Sequence, residues 1–387
     1  DSIAMPEYTG KYNPVYPVWH SDRVCGDNLI STFSDDGTLT ISGTGPMYDY
    51  QNLDSFTPAA WWRMLDVKKV VIGDGVKSVG ENAFNNMYGI TSVVISDSVQ
   101  SIGEYAFYYC PDLKEITIGQ DVCSIGNYAF AKTYALEKIN WVADCVADFP
   151  SDNHIFEYSG QKGNGIEIVF TGGNIPNNLF FPVKDKYEAY LPFVKSVDFG
   201  SVTRIGGASF RGNKQFTEIV IPDSVEVIGF SAFANCSNVK ELTLGKNITE
   251  IGNSAFYGLT LLEKFYWNSA DVADFEYENT VFYRAGRDTE EGVEIVFGNG
   301  AKTLPAYAFM SGSYYPSTPK FKSLDLGVVE RIGKGAFIYC NTLTSLEMPS
   351  TLKKIEGYAF NSSSISEIHI NDLASWCKIE FESKEAS

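Results

Sequence analysis

Histidine is almost missing from this chain: His20, His154 and His369 are the only three among 387 residues. A metal centre or a histidine-based triad needs convergent partners, and these three fall in a tail, a loop and the last strand. Basic residues are also in short supply, 30 Lys and Arg against 48 Asp and Glu, for a formal net charge of −18. Nucleic acid and anionic membrane surfaces would be repelled by that balance, which suits a soluble, surface-rich molecule. No apolar run approaches the roughly 18 residues required to span a bilayer, so no membrane insertion is expected. GxGxxG, P-loop, GxSxG, HExxH and CxxC patterns are all absent.

The seven cysteines (Cys25, Cys110, Cys123, Cys145, Cys236, Cys340 and Cys377) are odd in number and widely spaced, so a disulfide framework is not expected. Asp35-Asp36-Gly37 and Asp152-Asn153 lack the alternating oxygen ligands of a calcium loop and read as turns. Asn247-Ile248-Thr249 matches a glycosylation sequon, a short pattern of low specificity. The residues therefore point to no catalytic group, no metal and no cofactor.

What the chain has in abundance is one phrase, Ile-Gly-x-x-Ala-Phe. It occurs at Val79–Phe84, Ile102–Phe107, Ile125–Phe130, Ile228–Phe233, Ile251–Phe256 and Ile332–Phe337, with looser copies ending at Phe210, Phe309 and Phe360. Phe84, Phe107 and Phe130 are 23 residues apart, as are Phe210, Phe233 and Phe256, and Phe337 and Phe360. Between the phrases lies an apolar i, i+3, i+5 pattern such as Ile90-Val93-Ile95, Leu113-Ile116-Ile118 and Ile365-Ile368-Ile370. Its last two members alternate as a short strand with one buried face does. A unit this short cannot bury its apolar residues alone, so the expected architecture is a stack of coils sharing one core. The nine phenylalanines form the expected spine, and the glycine is read as the residue that turns the backbone tightly. Cys110, Cys236 and Cys340 each stand three residues after the spine Phe, where Thr133 and Leu259 stand elsewhere, and read as a buried, inert ladder.

A longer period overlies the first. Phe84 to Phe210 spans 126 residues and Phe210 to Phe337 spans 127. Trp141 with Val146-Ala147-Asp148-Phe149 is answered by Trp267 with Val272-Ala273-Asp274-Phe275, and Glu167–Phe170 by Glu294–Phe297. Block duplication is implied, with a shortened third copy and two irregular units, about 136–193 and 262–320, expected to carry bulging loops. Three segments are expected: a tail over 1–24, a cap over 25–66, and the solenoid over 67–387. In the cap, Leu29–Phe33 and Leu39–Ile41 flank Ser34-Asp35-Asp36-Gly37 as a hairpin, while Pro58, Trp61 and Trp62 are candidates to cover the first coil. The start at Asp1 rather than Met suggests a trimmed, exported product.

These repeats, exemplified by residues 113–130 (Leu-Lys-Glu-Ile-Thr-Ile-Gly-Gln-Asp-Val-Cys-Ser-Ile-Gly-Asn-Tyr-Ala-Phe), resemble the BspA-like, or Treponema-type, leucine-rich-repeat family of bacterial surface proteins. The resemblance covers roughly residues 25–381. It implies a mainly β, right-handed leucine-rich-repeat solenoid with a parallel sheet on its concave side, exported to the cell surface. A role in adhesion to host matrix, host cells or other microbes is implied too, and no shared catalytic residue carries over.

Residues between the buried strand positions are expected to face outward. One row would hold Val71, Val94, Thr117, Val169, Val220, Thr243, Tyr266, Val296 and His369. A more charged neighbour would hold Lys69, Glu115, Lys138, Glu218, Glu241, Lys264, Glu347 and Glu367. A protein ligand suits such a surface. Two other readings stand beside it. One is glycan binding or processing by Tyr158, Tyr266, Tyr277 and Tyr283. The other is a passive spacer within a larger surface protein.

Overall fold

The computed structural model describes residues 23–50, 61, 64–181, 191–311 and 319–382. Most of the 1–24 tail, Pro58, Trp62 and His20 lie outside them. Each coil begins with the apolar i, i+3, i+5 pattern, which folds as a three- to five-residue strand, its alternate side chains typically pointing inward. Strands of the regular coils pair in parallel without offset, Val70 beside Val93, Val93 beside Ile116, and Ile116 beside Ile139, while the pairings of Ile166–Phe170 and Val293–Phe297 with the next strand each shift register at their first residue. This major sheet runs as nine strands from Arg23–Gly26 to Val194–Asp198. It resumes as five strands from Glu218–Val220 to Phe321–Asp325, and ends with Ser345–Met348 and Glu367–Ile370. A minor ladder of two- to four-residue strands (Val76–Val79, Ser101–Ile102, Ser124–Ile125 and their successors) runs alongside, also parallel. The molecule is thus a mainly β, leucine-rich-repeat solenoid.

The Ile-Gly-x-x-Ala-Phe phrase makes a third ladder. Phe84 N donates to Ala106 O at 2.7 Å, Phe107 N to Ala129 O at 2.7 Å, and Phe233 N to Ala255 O at 2.8 Å. The motif glycine has a role different from the one expected. At Gly103 an added Cβ would lie 2.5 Å from Glu81 N, and at Gly126 2.4 Å from Glu104 N. Close approach of the neighbouring coil's backbone excludes a side chain there, and the turn is made two residues later. Asn82, Tyr105, Tyr128, Ser231 and Ser254, each just before the motif alanine, have φ between 52° and 58°. A second left-handed residue follows two after Phe84, Phe107 and Phe233: Asn86 (61°), Tyr109 (54°) and Asn235 (61°). These turns therefore carry two positions that cost a residue with a Cβ about 1 kcal/mol or more, least for Asn.

Inside, the spine is longer than the phrases suggest. Trp61 stacks on Phe84 at 5.2 Å between ring centroids, followed by Phe107 (5.0 Å) and Phe130 (5.4 Å). The column then passes through Phe156 (5.4 Å), Phe180 (5.1 Å) and Phe210 (5.7 Å). It continues through Phe233, Phe256, Phe282 and Phe309 to Phe337 and Phe360, each 5.4–5.9 Å from the last. Phe156 and Phe282 belong to the long units, outside any recognisable phrase, while Phe180 closes Ile175-Pro-Asn-Asn-Leu-Phe, a degenerate copy like that ending at Phe309. The column nonetheless crosses those units, whose strands Ile166–Phe170 and Val293–Phe297 pair on both edges. Trp141 and Trp267 are fully buried, and each indole donates to the carbonyl two residues on.

At the amino end the expected hairpin forms. Leu29–Phe33 and Thr38–Gly43 pair antiparallel, Gly37 takes φ 83° in the turn, and Arg23–Gly26 adds a third strand. Trp61 is the first ring of the column among the described residues, its indole donating to Ala83 O at 2.7 Å. The carboxy end departs from expectation. Ile368 and Ile370, expected in the core, are 43 % and 37 % exposed, because no described strand lies on the outer edge of Glu367–Ile370.

The cysteines bring one correction. Cys123 and Cys145, exposed and 22 residues apart, form a disulfide between adjacent coils. Coil stacking brings together residues one repeat apart, a proximity that linear spacing does not display. The ladder cysteines are buried, and burial raises Cys110 and Cys236 to about 12 and Cys340 to about 11. Cys110 and Cys236 donate weakly to the preceding spine carbonyls, Phe84 O and Phe210 O, each at 3.2 Å.

Candidate binding face

Parallel pairing without offset converts the strand's period of two into files across the coils. Thr40, Val71, Val94 and Thr117 stand side by side, as do Asn140, Val169 and Asp198. Val220, Thr243, Tyr266, Val296 and Asp325 make the corresponding file in the second segment. Most are half-buried by their neighbours, while Val220 is 50 % exposed.

The adjoining file carries the charges: Lys69, Ser92, Glu115, Lys138 and Glu167, then Glu218, Glu241, Lys264 and Glu294. Unlike charges alternate across its first segment, where Lys138 Nζ lies 3.6 Å from Glu115 Oε1 and Lys195 donates to Glu167 at 3.0 Å. Asn140 ties the two files, donating to Glu115 Oε1 (2.9 Å) and Thr117 Oγ1 (3.2 Å). Glu347 was placed in the charged row by its sequence. The register sets it beside His369 in the other file, because Ser345 pairs with Glu367.

Linear spacing does not display the ion pairs that clamp the duplicated long units. Arg331 donates to Glu356 (Nε to Oε1, 2.8 Å) and to Asp274 (Nη2 to Oδ2, 3.1 Å); one block earlier Arg204 lies 3.9 Å from Asp148. Burial pushes the Asp274 and Glu356 carboxyls up, but the Arg331 guanidinium outweighs it and holds both below their usual range. The matching Val-Ala-Asp-Phe segments were the available signal, and only the missing partner hid their role.

The four tyrosines considered for sugars are spread over different settings. Tyr158 packs near Tyr134 (6.4 Å) and Tyr266 stands on the major sheet. Tyr277 is exposed against Tyr307, and Tyr283 is buried under Tyr257. His154 Nδ1 lies 3.2 Å from Glu157 Oε2, and its ring stacks on Tyr128 at 4.5 Å. Asp36 accepts from Ser34 Oγ and Thr38 N, which is turn chemistry. Among the described residues no group of three or more His, Cys, Asp or Glu is placed to hold a metal, and no helix is long and apolar enough to cross a membrane.

Stacked parallel coils, a shared aromatic column and an outward strand file define the class: a leucine-rich-repeat protein. More narrowly, the chain belongs to the BspA-type leucine-rich-repeat family, whose model matches in six copies over residues 51–160, 191–315 and 302–384. No curated protein sequence matches it. Among solved structures it is similar to a leucine-rich repeat protein from Eubacterium ventriosum (23 % identity, 88 % of each chain covered, TM-score 0.35). Another is from Bacteroides ovatus (21 %, 88 % of this chain and 87 % of that one, TM-score 0.36). A third is a leucine rich cell surface protein from Faecalibacterium prausnitzii (18 %, 94 % and 99 %, TM-score 0.21).

Proposed function

We propose that this chain is an exported, cell-surface binding protein that acts by recognition rather than catalysis. Its partner is a macromolecule of host matrix, host cell or another microbe, engaged through the outward face of the major sheet. The observation that carries the reading is the unbroken file from Val71 through Val94 and Thr117, half-apolar and bordered by charges. Preformed sheet faces bind with little ordering cost, and an apolar strip beside alternating charges supplies both affinity and register. The Cys123–Cys145 bridge supports export, since such bonds persist in oxidising compartments.

The test replaces Val94, Thr117 and Tyr266 with lysine and measures adhesion to matrix proteins and pull-down of surface proteins. Binding should fall at least tenfold with the fold retained. Undiminished binding by the folded variant would move the site off this face.

A further inference from the structure

A second surface follows the turns of the first block. Tyr105 stacks on Tyr128 at 4.9 Å with the rings 4° from parallel, and Tyr128 stacks on His154. Tyr108 meets Tyr105 and Tyr128 edge-on at 5.3 and 6.2 Å, and Lys132 donates to its hydroxyl. Beyond it, Tyr88, Tyr109 and Tyr134 meet in sequence edge to face rather than stacked, at 5.5 and 6.1 Å.

The fold does not require these rings. One block later, 126 residues on, Ser231, Ala234, Asn235, Ser254 and Thr260 stand where Tyr105, Tyr108, Tyr109, Tyr128 and Tyr134 stand here. Those coils keep the same buried Phe and the same ladder hydrogen bonds. Tyr105, Tyr109 and Tyr128 moreover sit at φ 54–57°, in the left-handed region that disfavours a bulky side chain. Aromatic rings held against backbone preference, where small residues serve equally well elsewhere, mark a surface kept for contact.

Beside the tyrosines lies an open groove of about 660 Å³, lined by Tyr48, Glu81, Glu104 and Asn127 and by Ser78, Ser101 and Ser124. The three serines are aligned by strand register, and Glu104 and Asn127 directly precede Tyr105 and Tyr128. The groove therefore adjoins the tyrosine row, residue by residue along the chain, without being lined by it. Hydroxyl ladders, carboxylates and an amide beside aromatic rings are the groups that bind vicinal diols and the apolar faces of pyranoses. Hydrogen-bonded strands repeat about every 4.8 Å, close to the length of one pyranose, so an extended glycan meets equivalent groups coil after coil. Asp49, Glu81 and Glu104 make the groove acidic, which disfavours sulfated or sialylated chains.

We propose that this surface is a binding site for a neutral polysaccharide, with the serine–carboxylate groove holding hydroxyls and the half-buried tyrosines of the first block, whose faces are largely taken up by one another, presenting ring edges and hydroxyls to the sugar chain. It shares no residue with the major-sheet file, so either site can fail without the other.

Affinity electrophoresis in gels containing mannan, xyloglucan or laminarin, with heparin as the anionic control, tests it. The variant Tyr105→Ser, Tyr108→Ala, Tyr109→Asn, Tyr128→Ser, Tyr134→Thr copies the second block. If that variant does not fold, Tyr109→Asn and Tyr134→Thr singly give the same readout. At least one neutral polymer should retard the native protein, and its affinity should drop tenfold or more in the folded variant. Val94→Lys with Thr117→Lys should leave retardation intact. The proposal is overturned by no retardation in any neutral polymer, by equal retardation of the tyrosine variant, or by retardation in heparin alone. It is equally overturned if the tyrosine variant loses only a protein ligand.

Discussion

Removing one ring from the column is the most direct probe of how the coils are held together. Phe107 is fully buried and stacked at 5.0 Å on Phe84 and 5.4 Å on Phe130. Phe107→Ala removes six heavy atoms from a fully buried site between two stacked rings, leaving a cavity in the column. The cost is about 3–5 kcal/mol, at the full value for buried Phe truncation. In a solenoid that cost falls on the two interfaces of one coil and is not shared by the whole chain, because each coil touches only its neighbours. The free energy of local opening in the coils of Phe84, Phe107 and Phe130 should fall by the same amount. At about 1.4 kcal/mol per tenfold, their slowest amides should exchange a hundredfold faster or more, while those around Phe233 and Phe256 stay near native rates. Hydrogen exchange read by mass spectrometry resolves the two regions. Unchanged exchange near Phe107, or an equal rise at Phe233, would refute the column as the coupling element.

The interlocked coils lead to other measurable outcomes. Without reductant, alkylation should label Cys377 and spare Cys123 and Cys145 as well as the four buried thiols; labelling of Cys123 in the native protein would contradict the bridge. Its removal by Cys123→Ser with Cys145→Ser should cost roughly 3 kcal/mol, the entropy of closing a loop of this length. Thr249→Cys with Asp271→Cys, at the equivalent positions of the second block, should form a matching bridge detectable by mass. Arg331→Met should cost about 1–2 kcal/mol at neutral pH, since the pairs with Glu356 and Asp274 are only partly buried. Both carboxyls are held below their usual range in the folded state, so their contribution is present above the unfolded pKa near 4 and vanishes as pH falls through the folded value. Denaturant midpoints of variant and native protein should therefore converge in acid; a constant gap from pH 7 to 3 would exclude the pairing as its source.

Much of this architecture is legible in the chain because it repeats. A phrase copied every 23 residues declares the coil length, and alternation within each strand declares which residues face the core. The files of Val71, Val94 and Thr117, and of Val220, Thr243 and Tyr266, follow once neighbouring coils are taken to align without offset. Legibility ends where the copies diverge. Phe156 and Phe282 carry the column through the long units, yet no surrounding phrase announces them, since a spine position demands only a large ring and tolerates an altered frame. Their clue is the block period, which sets Phe282 against Phe156, and the clue for Phe180 is the degenerate phrase Ile175-Pro-Asn-Asn-Leu-Phe, which matches the copy ending at Phe309.

Pairings between coils are the other class hidden from a linear reading. Cys123 meets Cys145, and Arg331 meets Asp274 and Glu356, because stacking places residues one or two turns apart in contact. Local pattern reports periodicity and burial, which act along the chain. Register between coils, the left-handed seats that hold Tyr105 and Tyr128, and the close backbone approach that requires Gly103 and Gly126 exist only once the coils are stacked. Composition and spacing were thus sufficient for the solenoid and its core. The disulfide, the ion-pair clamps and the tyrosine surface were decided by tertiary contact, since each depends on the distance between one coil and the next.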